Sequence, residues 1–280
     1  MTTTAPFWLG TSWKMTKTLG EAGAYADALR SAVEAEDVPP DLRLFVLPAA
    51  TSLAVVHDRL AGSGVTIGSQ NAHPGPDLAV TGEVSMDMVR DAGASLVEIG
   101  HAERRTLLGE TDDMVADKVA AAVSAGLTPL LCVGETAAER AHGETADVLT
   151  RQVRTALGRL EAAVPDELLV AYEPHWAIGS NGRAAVPEEV AEGIAVVRDE
   201  LDRHLPGART AVLYGGSVNA GNAADLVTGL DVDGLFVGRA AWTVAGLLDL
   251  AHRCADALRN RGLRQPNPDL VSAIVRKDQR

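Results

Sequence analysis

The chain has 280 residues, of which 46% are hydrophobic, and its formal net charge is -13 at pH 7. This length and hydrophobic fraction allow a large buried core, and an α/β barrel commonly reaches this size as a single domain. The acidic balance argues against nucleic acid or an anionic membrane as a partner, but not against a phosphorylated small molecule, which backbone amides and one or two cations can bind.

Short apolar runs alternate with longer amphipathic segments along the chain. The runs are continuous rather than alternating with polar residues, which is typical of strands in a parallel sheet covered on both faces. Eight consecutive strand–helix units without a linker indicate one closed (β/α)8 barrel, with a doubly wound open sheet as the alternative. The predicted strands are residues 7–12, 43–48, 65–70, 95–100, 128–133, 168–173, 210–215 and 234–238.

Helical segments with a 3.6-residue period separate the predicted strands. One example is residues 19–33. Thr18, just before this segment, and Glu21 have the spacing of a capping box, which predicts that a helix begins there. The barrel domain is assigned to residues 1–260. Residues 261–280 contain a Pro-Asn-Pro break, and we expect them to form a short C-terminal extension.

The cysteines and the N-terminus bear on where the protein works. Cys132 and Cys254 lie far apart, without the spacing of a metal site or a redox motif, and Cys132 is expected to be a packed strand thiol. The N-terminus shows no leader pattern, and no uninterrupted apolar run approaches the roughly 18 residues of a membrane span. We therefore expect a cytoplasmic protein.

The first predicted strand ends in Ser12-Trp13-Lys14. Barrel enzymes carry their active sites at the carboxyl ends of the strands, so the residues at which each apolar run stops are candidates. Lys14 is suited to holding an anionic substrate or stabilising developing negative charge, or to Schiff-base chemistry if desolvated. A solvated surface lysine is the alternative.

The fourth and sixth strands also end in candidate residues. His101 follows the fourth strand, and Glu103 beside it would pair with Lys14 if the two strand ends face each other. A single histidine is more often structural than catalytic. Glu173 ends the sixth strand, where partial burial suits a carboxylate to general-base chemistry, and residues 174–185 resemble a lid over it. A charged strand end beside an ordinary loop is the alternative.

The loops after the seventh and eighth strands are rich in glycine. They read Tyr-Gly-Gly-Ser-Val-Asn at 214–219 and Phe-Val-Gly-Arg-Ala-Ala-Trp at 236–242. Glycine lets the backbone approach an anion, and free amides at helix N-termini point towards it. Because these two loops form the recurrent phosphate site of α/β barrels, the pair predicts a phosphorylated ligand.

These motifs, in chain order over residues 7 to 260, resemble the triosephosphate isomerase family. Residues 12–14 are similar to the family's Asn-Trp-Lys, and residues 100–105 to its Gly-His-Ser-Glu-Arg-Arg. Its Tyr-Glu-Pro-x-Trp-Ala-Ile-Gly and Tyr-Gly-Gly-Ser-Val motifs are matched at 172–179 and 214–218. The resemblance implies a cofactor-independent sugar-phosphate isomerase that needs no metal.

The resemblance also implies a role for each matching residue. Triosephosphate isomerase is itself the known case of a glutamate base acting with a neutral histidine. Glu173 is thus expected to remove the proton beside the carbonyl, His101 to polarise the carbonyl, and Lys14 to face the developing oxyanion. The residues expected around the phosphate are Gly179, Ser217, Gly238 and Arg239. Whether Arg239 instead pairs with an acid outside the site stays open.

Family members are usually dimers or tetramers, so the resemblance implies a homodimer, with a tetramer as the alternative. The loop at residues 73–83 would then reach a neighbouring subunit and bring Thr81 to that subunit's site. Apart from the substrate, a phosphorylated sugar, neither nucleic acid nor membrane is expected as a partner.

The chain departs from the family pattern at Ser12, Ala102 and Arg239. The first two changes shrink side chains near Lys14 and His101, at the reacting end of the substrate. They leave room for roughly one hydroxymethyl group, and a site enlarged in this way should admit a longer substrate. Unselected drift in a triosephosphate isomerase is the alternative explanation.

A four-carbon substrate follows from this size difference. L-erythrulose 1-phosphate is dihydroxyacetone phosphate with one more hydroxymethyl group, and the same proton transfer converts it to D-erythrulose 4-phosphate. The Gly-Thr-Ser-Trp-Lys-Met opening also resembles the family's tetrulose-phosphate isomerases of tetritol catabolism. The alternatives are a triosephosphate isomerase and a non-catalytic sugar-phosphate-binding protein, and an intact base argues against the latter.

Overall fold

The computed structural model describes residues 7–75, 79–160, 165–178 and 183–263, and eight parallel strands within them close into a barrel in chain order. The strands are β1 (Phe7–Ser12), β2 (Leu42–Leu47), β3 (Thr66–Ser69), β4 (Leu96–Ile99), β5 (Thr128–Val133), β6 (Glu167–Tyr172), β7 (Arg209–Tyr214) and β8 (Gly234–Val237). Pairing of β1 with both β2 and β8 closes the sheet. The predicted (β/α)8 barrel is confirmed, and the open-sheet alternative was wrong.

Helices surround the barrel and return the chain to the start of each following strand. They are α1 (Leu19–Glu34), α2 (Leu53–Leu60), α3 (Met86–Asp91), α4 (Ala102–Leu108), α5 (Asp112–Ser124), α6 (Ala137–Ala141), α7 (Thr145–Leu157), α8 (Pro187–His204), α9 (Ala223–Gly229) and α10 (Val244–Leu263). None of the described helices combines the length and the apolar character needed to cross a membrane. Residues 264–280 lie outside the described residues, so the C-terminal extension stays a prediction.

The predicted capping box at the start of α1 is present. The Thr18 hydroxyl accepts a hydrogen bond from the Glu21 amide at 3.4 Å, and the Glu21 carboxylate accepts one from the Thr18 amide at 2.8 Å. These two bonds satisfy amides that have no partner within the helix. The first crossover helix therefore begins at a defined residue directly after the Ser12-Trp13-Lys14 strand end.

Side chains alternate between the inside of the barrel and the helices. The inward-facing set is a separate apolar cluster, in which the Phe45 ring lies 5.9 Å from that of Trp8 and 5.7 Å from that of Phe236. Glycine is needed where these rings fill the interior: a Cβ on Gly10 would lie 2.2 Å from the Phe45 ring. The barrel is thus a packed core, and ligands are confined to its ends.

We expect Gly10→Ala to destabilise the protein by about 1–3 kcal/mol, because the added methyl group overpacks the interior against Phe45. Thermal unfolding followed by circular dichroism measures the change. The control is Gly20→Ala in the exposed first turn of α1, where a Cβ meets no atom within 4 Å. This control should leave stability unchanged or raise it, since alanine favours a helix. Equal melting temperatures for the two variants would contradict the packed interior.

Candidate active site

A cavity of about 440 Å³ opens at the carboxyl ends of the strands. Its lining contains predicted residues from five strand ends that are distant in sequence. It also contains residues that the sequence did not single out, among them Phe236 and Trp242. The predicted residues that line it are Ser12, Lys14, His101, Glu173, Ser217, Gly238 and Arg239.

Glu173 directly follows β6 and is buried. Its Oε2 accepts a hydrogen bond from the amide of Ala102, the first residue of α4, at 3.2 Å. Two glycines allow the close packing around it: a Cβ on Gly134 would lie 1.9 Å from the Glu173 carbonyl oxygen, and one on Gly215 would lie 2.9 Å from Glu173 Cγ. The carboxylate is therefore held in one direction, towards the cavity.

The hydrogen bonding of His101 defines which ring nitrogen carries the proton. Nδ1 accepts a hydrogen bond from the Glu103 amide at 3.1 Å, in the position of an N-cap for α4. A nitrogen that accepts from N–H carries no proton itself, so the ring is neutral and its proton is on Nε2. Nε2 lies 3.5 Å from Oε1 of Glu173. The imidazole thus presents an N–H donor beside the carboxylate.

Lys14 has a left-handed backbone, with φ of 51°, which is uncommon for a residue other than glycine. The Gln70 side-chain amide stabilises this turn by donating to the carbonyl oxygens of Lys14, at 3.1 Å, and Leu47, at 2.9 Å. The Lys14 ammonium lies 2.6 Å from the Glu103 carboxylate, so the two strand ends face each other. The strained turn places a paired cation at the edge of the cavity.

The glycine-rich loops supply the donors for an anion at the other side of the cavity. In the part of the chain that the structure describes, the amides of Gly216, Ser217 and Gly238 donate to no protein acceptor. Arg239 is exposed at the cavity lining, and it forms no ion pair with any of the described residues. Gly179 lies outside the described residues. The free amides and the Arg239 guanidinium form a cradle suited to a phosphate.

The start of the predicted lid is anchored to a buried carboxylate. Glu135 accepts hydrogen bonds from the Trp176 indole at 2.8 Å and from the Tyr172 hydroxyl at 3.0 Å. The Arg140 guanidinium stacks 4.2 Å from the centre of the Trp176 ring. Residues 179–182, the tip of the segment, lie outside the described residues, so lid closure stays a prediction.

Thr81 does not line the cavity of its own chain. It is exposed, in a loop whose residues 76–78 lie outside the described residues. The expected contact with a second subunit therefore stays a prediction.

Glu98, which sequence reasoning missed, lies beneath the cavity. It is buried on β4, where it accepts a hydrogen bond from the Ser12 hydroxyl at 2.8 Å, and its Oε1 lies 4.0 Å from His101 Nε2. Burial raises the pKa of the Glu98 carboxyl to about 7, and the negative charge of Glu173 adds to the rise. The sequence does contain a signal for Glu98. It lies two residues after Leu96 in an apolar strand, and residues two apart in a strand face the same side, so Glu98 shares the inner face with Leu96.

The sequence predicted no metal site, but one cluster of buried side chains has the residue types that can bind a metal ion. Glu98, Cys132 and Glu173 each bring a potential ligand atom within 4.8 Å of the others. Burial, with the nearby carboxylates, raises the pKa of the Cys132 thiol well above its usual value. The thiolate is the form that binds a metal, so ligation here would require this buried thiol to lose its proton.

The arrangement is suited to moving a proton between adjacent carbons. A buried carboxylate, a neutral N–H donor and an ammonium group converge on one side of a cavity whose other side is suited to binding an anion. A carboxylate in such a site accepts a proton, while the two donors stabilise negative charge on oxygen.

We expect Glu98→Gln to stabilise the protein more at pH 8 than at pH 5. Between about pH 4.5 and 7 the folded protein keeps a proton on Glu98 that the unfolded chain releases, so wild-type stability falls as pH rises through this window. The variant has no such group, and the difference in the free energy of unfolding should grow by roughly 2–3 kcal/mol.

Urea unfolding at several pH values measures that difference. Glu192→Gln, an exposed substitution in α8, is the control and should follow the wild type. A Glu98→Gln difference that does not change with pH would contradict the assignment of Glu98 as the buried titrating group.

Comparison with known proteins identifies a family. The family model described as triosephosphate isomerase matches residues 7–254. An L-erythrulose-1-phosphate isomerase of Brucella abortus biovar 1 (strain 9-941) is 47% identical over 254 residues, which cover 89% of this chain and 96% of that protein. A protein of the same name from Rhizobium rhizogenes (strain K84) is 44% identical over 264 residues, covering 92% and 98%. The chain belongs to the triosephosphate isomerase family of ketose-phosphate isomerases.

Proposed function

We propose that this protein interconverts L-erythrulose 1-phosphate and D-erythrulose 4-phosphate. The observation that carries the proposal is the pairing of Glu173 with the Nε2 donor of His101, 3.5 Å apart, in a cavity whose floor at position 12 is a serine. The first two groups support an isomerase, and the small residue supports a substrate longer than a triose. The names of the relatives from Brucella abortus and Rhizobium rhizogenes agree with this substrate.

The residues divide the reaction between them. The glycine-rich loops and Arg239 bind the phosphate, which places C2 and C3 of the ketose between Glu173 and His101. Glu173 takes the proton from C3, and the electron pair of that C–H bond forms a C2–C3 double bond. The carbonyl π electrons move to the oxygen on C2, where His101 and Lys14 stabilise the charge.

In the second half of the reaction a carbonyl forms at C3 and a proton is added to C2. The hydroxyl proton on C3 passes to the oxygen on C2 as the C3 carbonyl forms, and Glu173 returns its proton to C2. The carbonyl has then moved by one carbon, and the residues end in their initial protonation states. No redox equivalent or group transfer is needed, so a cofactor-free reaction is part of this proposal.

The size of the site supports the four-carbon substrate. Ser12 and Ala102 stand where the family pattern has the larger Asn and Ser, and both lie close to the reacting groups. Ala102 does not line the cavity and contributes only its amide, which donates to Glu173, so the additional space in the cavity depends on Ser12. Space at this end accommodates the hydroxymethyl group that distinguishes the tetrulose phosphate from a triose phosphate.

We also propose that the active form is a homodimer, with a tetramer as the alternative, and that it works in the cytoplasm. In this proposal Met15, an almost fully exposed apolar residue (98%) next to Lys14, is buried against another subunit. The free, buried thiols of Cys132 and Cys254 are compatible with a reducing compartment.

The substrate assignment is tested by comparing kcat/KM for L-erythrulose 1-phosphate and dihydroxyacetone phosphate. We expect the tetrulose phosphate to be favoured by at least about 10-fold, since one carbon unit in a fitted pocket is worth 10-fold or more. Product formation can be followed by NMR. Efficient turnover of the triose with none of the tetrulose would instead identify a triosephosphate isomerase, and turnover of neither would indicate a binding protein.

The base is tested by Glu173→Gln, which keeps the shape of the side chain and removes its basicity. We expect kcat to fall about 10²–10⁴-fold, and deuterium uptake at C3 in D2O to fall with it, because both need the same proton abstraction. Binding of inorganic phosphate should survive. The matched control is Glu167→Gln, at the opposite end of β6, which should retain activity. Near-wild-type turnover by Glu173→Gln would rule out Glu173 as the base.

A further inference from the structure

The contact between Ser12 and Glu98 joins two strands of the barrel, β1 and β4, that are not neighbours. Ser12 ends β1 and lines the cavity, whereas Glu98 lies on β4 beneath it and does not reach the lining. The Ser12 hydroxyl donates to Oε2 of Glu98 at 2.8 Å, and the Ser12 carbonyl oxygen accepts from the Trp242 indole at 2.9 Å. Both the backbone and the side chain of Ser12 are therefore held in place.

The direction of this hydrogen bond determines what Ser12 offers to a ligand. A hydroxyl has one proton and two lone pairs. Because the proton is directed to Glu98, the part of the Ser12 oxygen that faces the cavity carries only lone pairs. A ligand group that meets it favourably is a donor, such as a hydroxyl.

Burial of the Glu98 carboxyl at this position is unfavourable for folding. A buried carboxyl costs free energy unless hydrogen bonds or opposite charges compensate it. The groups that face it are Ser12, His101, Glu173, Cys132 and, at longer range, Lys14. His101 Nε2 lies 4.0 Å away, and the ring is neutral, so it provides no full opposite charge. Stability alone therefore does not explain the carboxyl.

We propose that Glu98 is a positioning residue for substrate length: by accepting the Ser12 proton, it turns the Ser12 lone pairs towards the terminal hydroxymethyl group of a four-carbon ketose phosphate. This role rests on the proposed function, since a triose phosphate has no fourth carbon and therefore no hydroxyl at this position. The pair then adds a polar element to the larger space at position 12. An empty space would tolerate the longer substrate, whereas an oriented acceptor recognises it.

The experiment compares two substrates that differ only in the donor. They are L-erythrulose 1-phosphate and its 4-deoxy analogue, which carries a methyl group in place of the hydroxymethyl group. The measured quantity is the ratio of their kcat/KM values. We expect Glu98→Leu and Ser12→Ala each to lower this ratio by about 10-fold, the effect of one lost hydrogen bond.

Further variants separate positioning from a merely structural role. Glu98→Gln keeps an oxygen acceptor for Ser12 and should recover most of the ratio that Glu98→Leu loses. Glu98→Met, which adapts to the same space, serves if the leucine variant does not fold. The control is Ser69→Ala on β3, which removes a buried serine hydroxyl that donates to Asn71 instead, and it should leave the ratio unchanged.

Coupling between the two residues gives the strictest test. If Glu98 acts through Ser12, the double variant Ser12→Ala/Glu98→Leu should lower the ratio no further than Ser12→Ala alone. Independent, multiplying effects would overturn the role of Glu98, as would a ratio that survives in both Glu98→Leu and Glu98→Met.

Failure of the substrate assignment would be seen first in the wild type, which would then not turn over the tetrulose phosphate. If the wild type prefers the tetrulose but the variants keep its hydroxymethyl-to-methyl ratio, the proposed function stands and the Ser12–Glu98 role is overturned.

Discussion

The hydrogen bonds made by the first amides of α4 are the constraint on which the site depends. The Glu103 amide donates to His101 Nδ1, which leaves the ring neutral with its proton directed into the cavity. The adjacent Ala102 amide donates to the Glu173 carboxylate. One helix start therefore fixes both the tautomer of His101, the proposed electrophile, and the direction of Glu173, the proposed base. Neither hydrogen bond depends on a charged partner, because both donors are backbone amides.

Several ionisable groups lie close together at one side of the cavity. Lys14 is paired with Glu103 at the edge of the cavity, while Glu98 and Glu173 are both buried near the same imidazole. A positive charge on the imidazole would stabilise an enediolate. It would also pair with the carboxylates of Glu98 and Glu173 and so lower the basicity of Glu173, the proposed base. A neutral donor stabilises charge on oxygen without competing for the proton of the base.

The sequence was sufficient for the fold because parallel strands buried on both faces are continuous apolar runs, and each of the eight ended within one residue of its prediction. Because the carboxyl ends of all the strands meet at one end of a barrel, the sequence also predicted that Lys14, His101 and Glu173 lie close together. Glu98 was not predicted as a site residue because it lies inside the apolar run of β4, where a single acid does not disturb the strand pattern. Its partner is 86 positions away, and only the barrel's register shows that they meet. Contacts with another subunit, such as that expected of Thr81, require an assembly that one chain does not contain.

The relation between Ser12 and Glu98 explains why a size argument alone is incomplete. Replacing Asn by Ser creates space, but empty space discriminates weakly, since a smaller substrate also fits in a larger pocket. A polar site discriminates more sharply, because its buried groups lose a partner when the wrong ligand binds. Glu98 supplies this second element by deciding which face of the Ser12 oxygen is available. Selectivity for chain length is thus encoded on β1 and β4 together, and a substitution at position 12 changes both the volume and the hydrogen-bonding partner of Glu98.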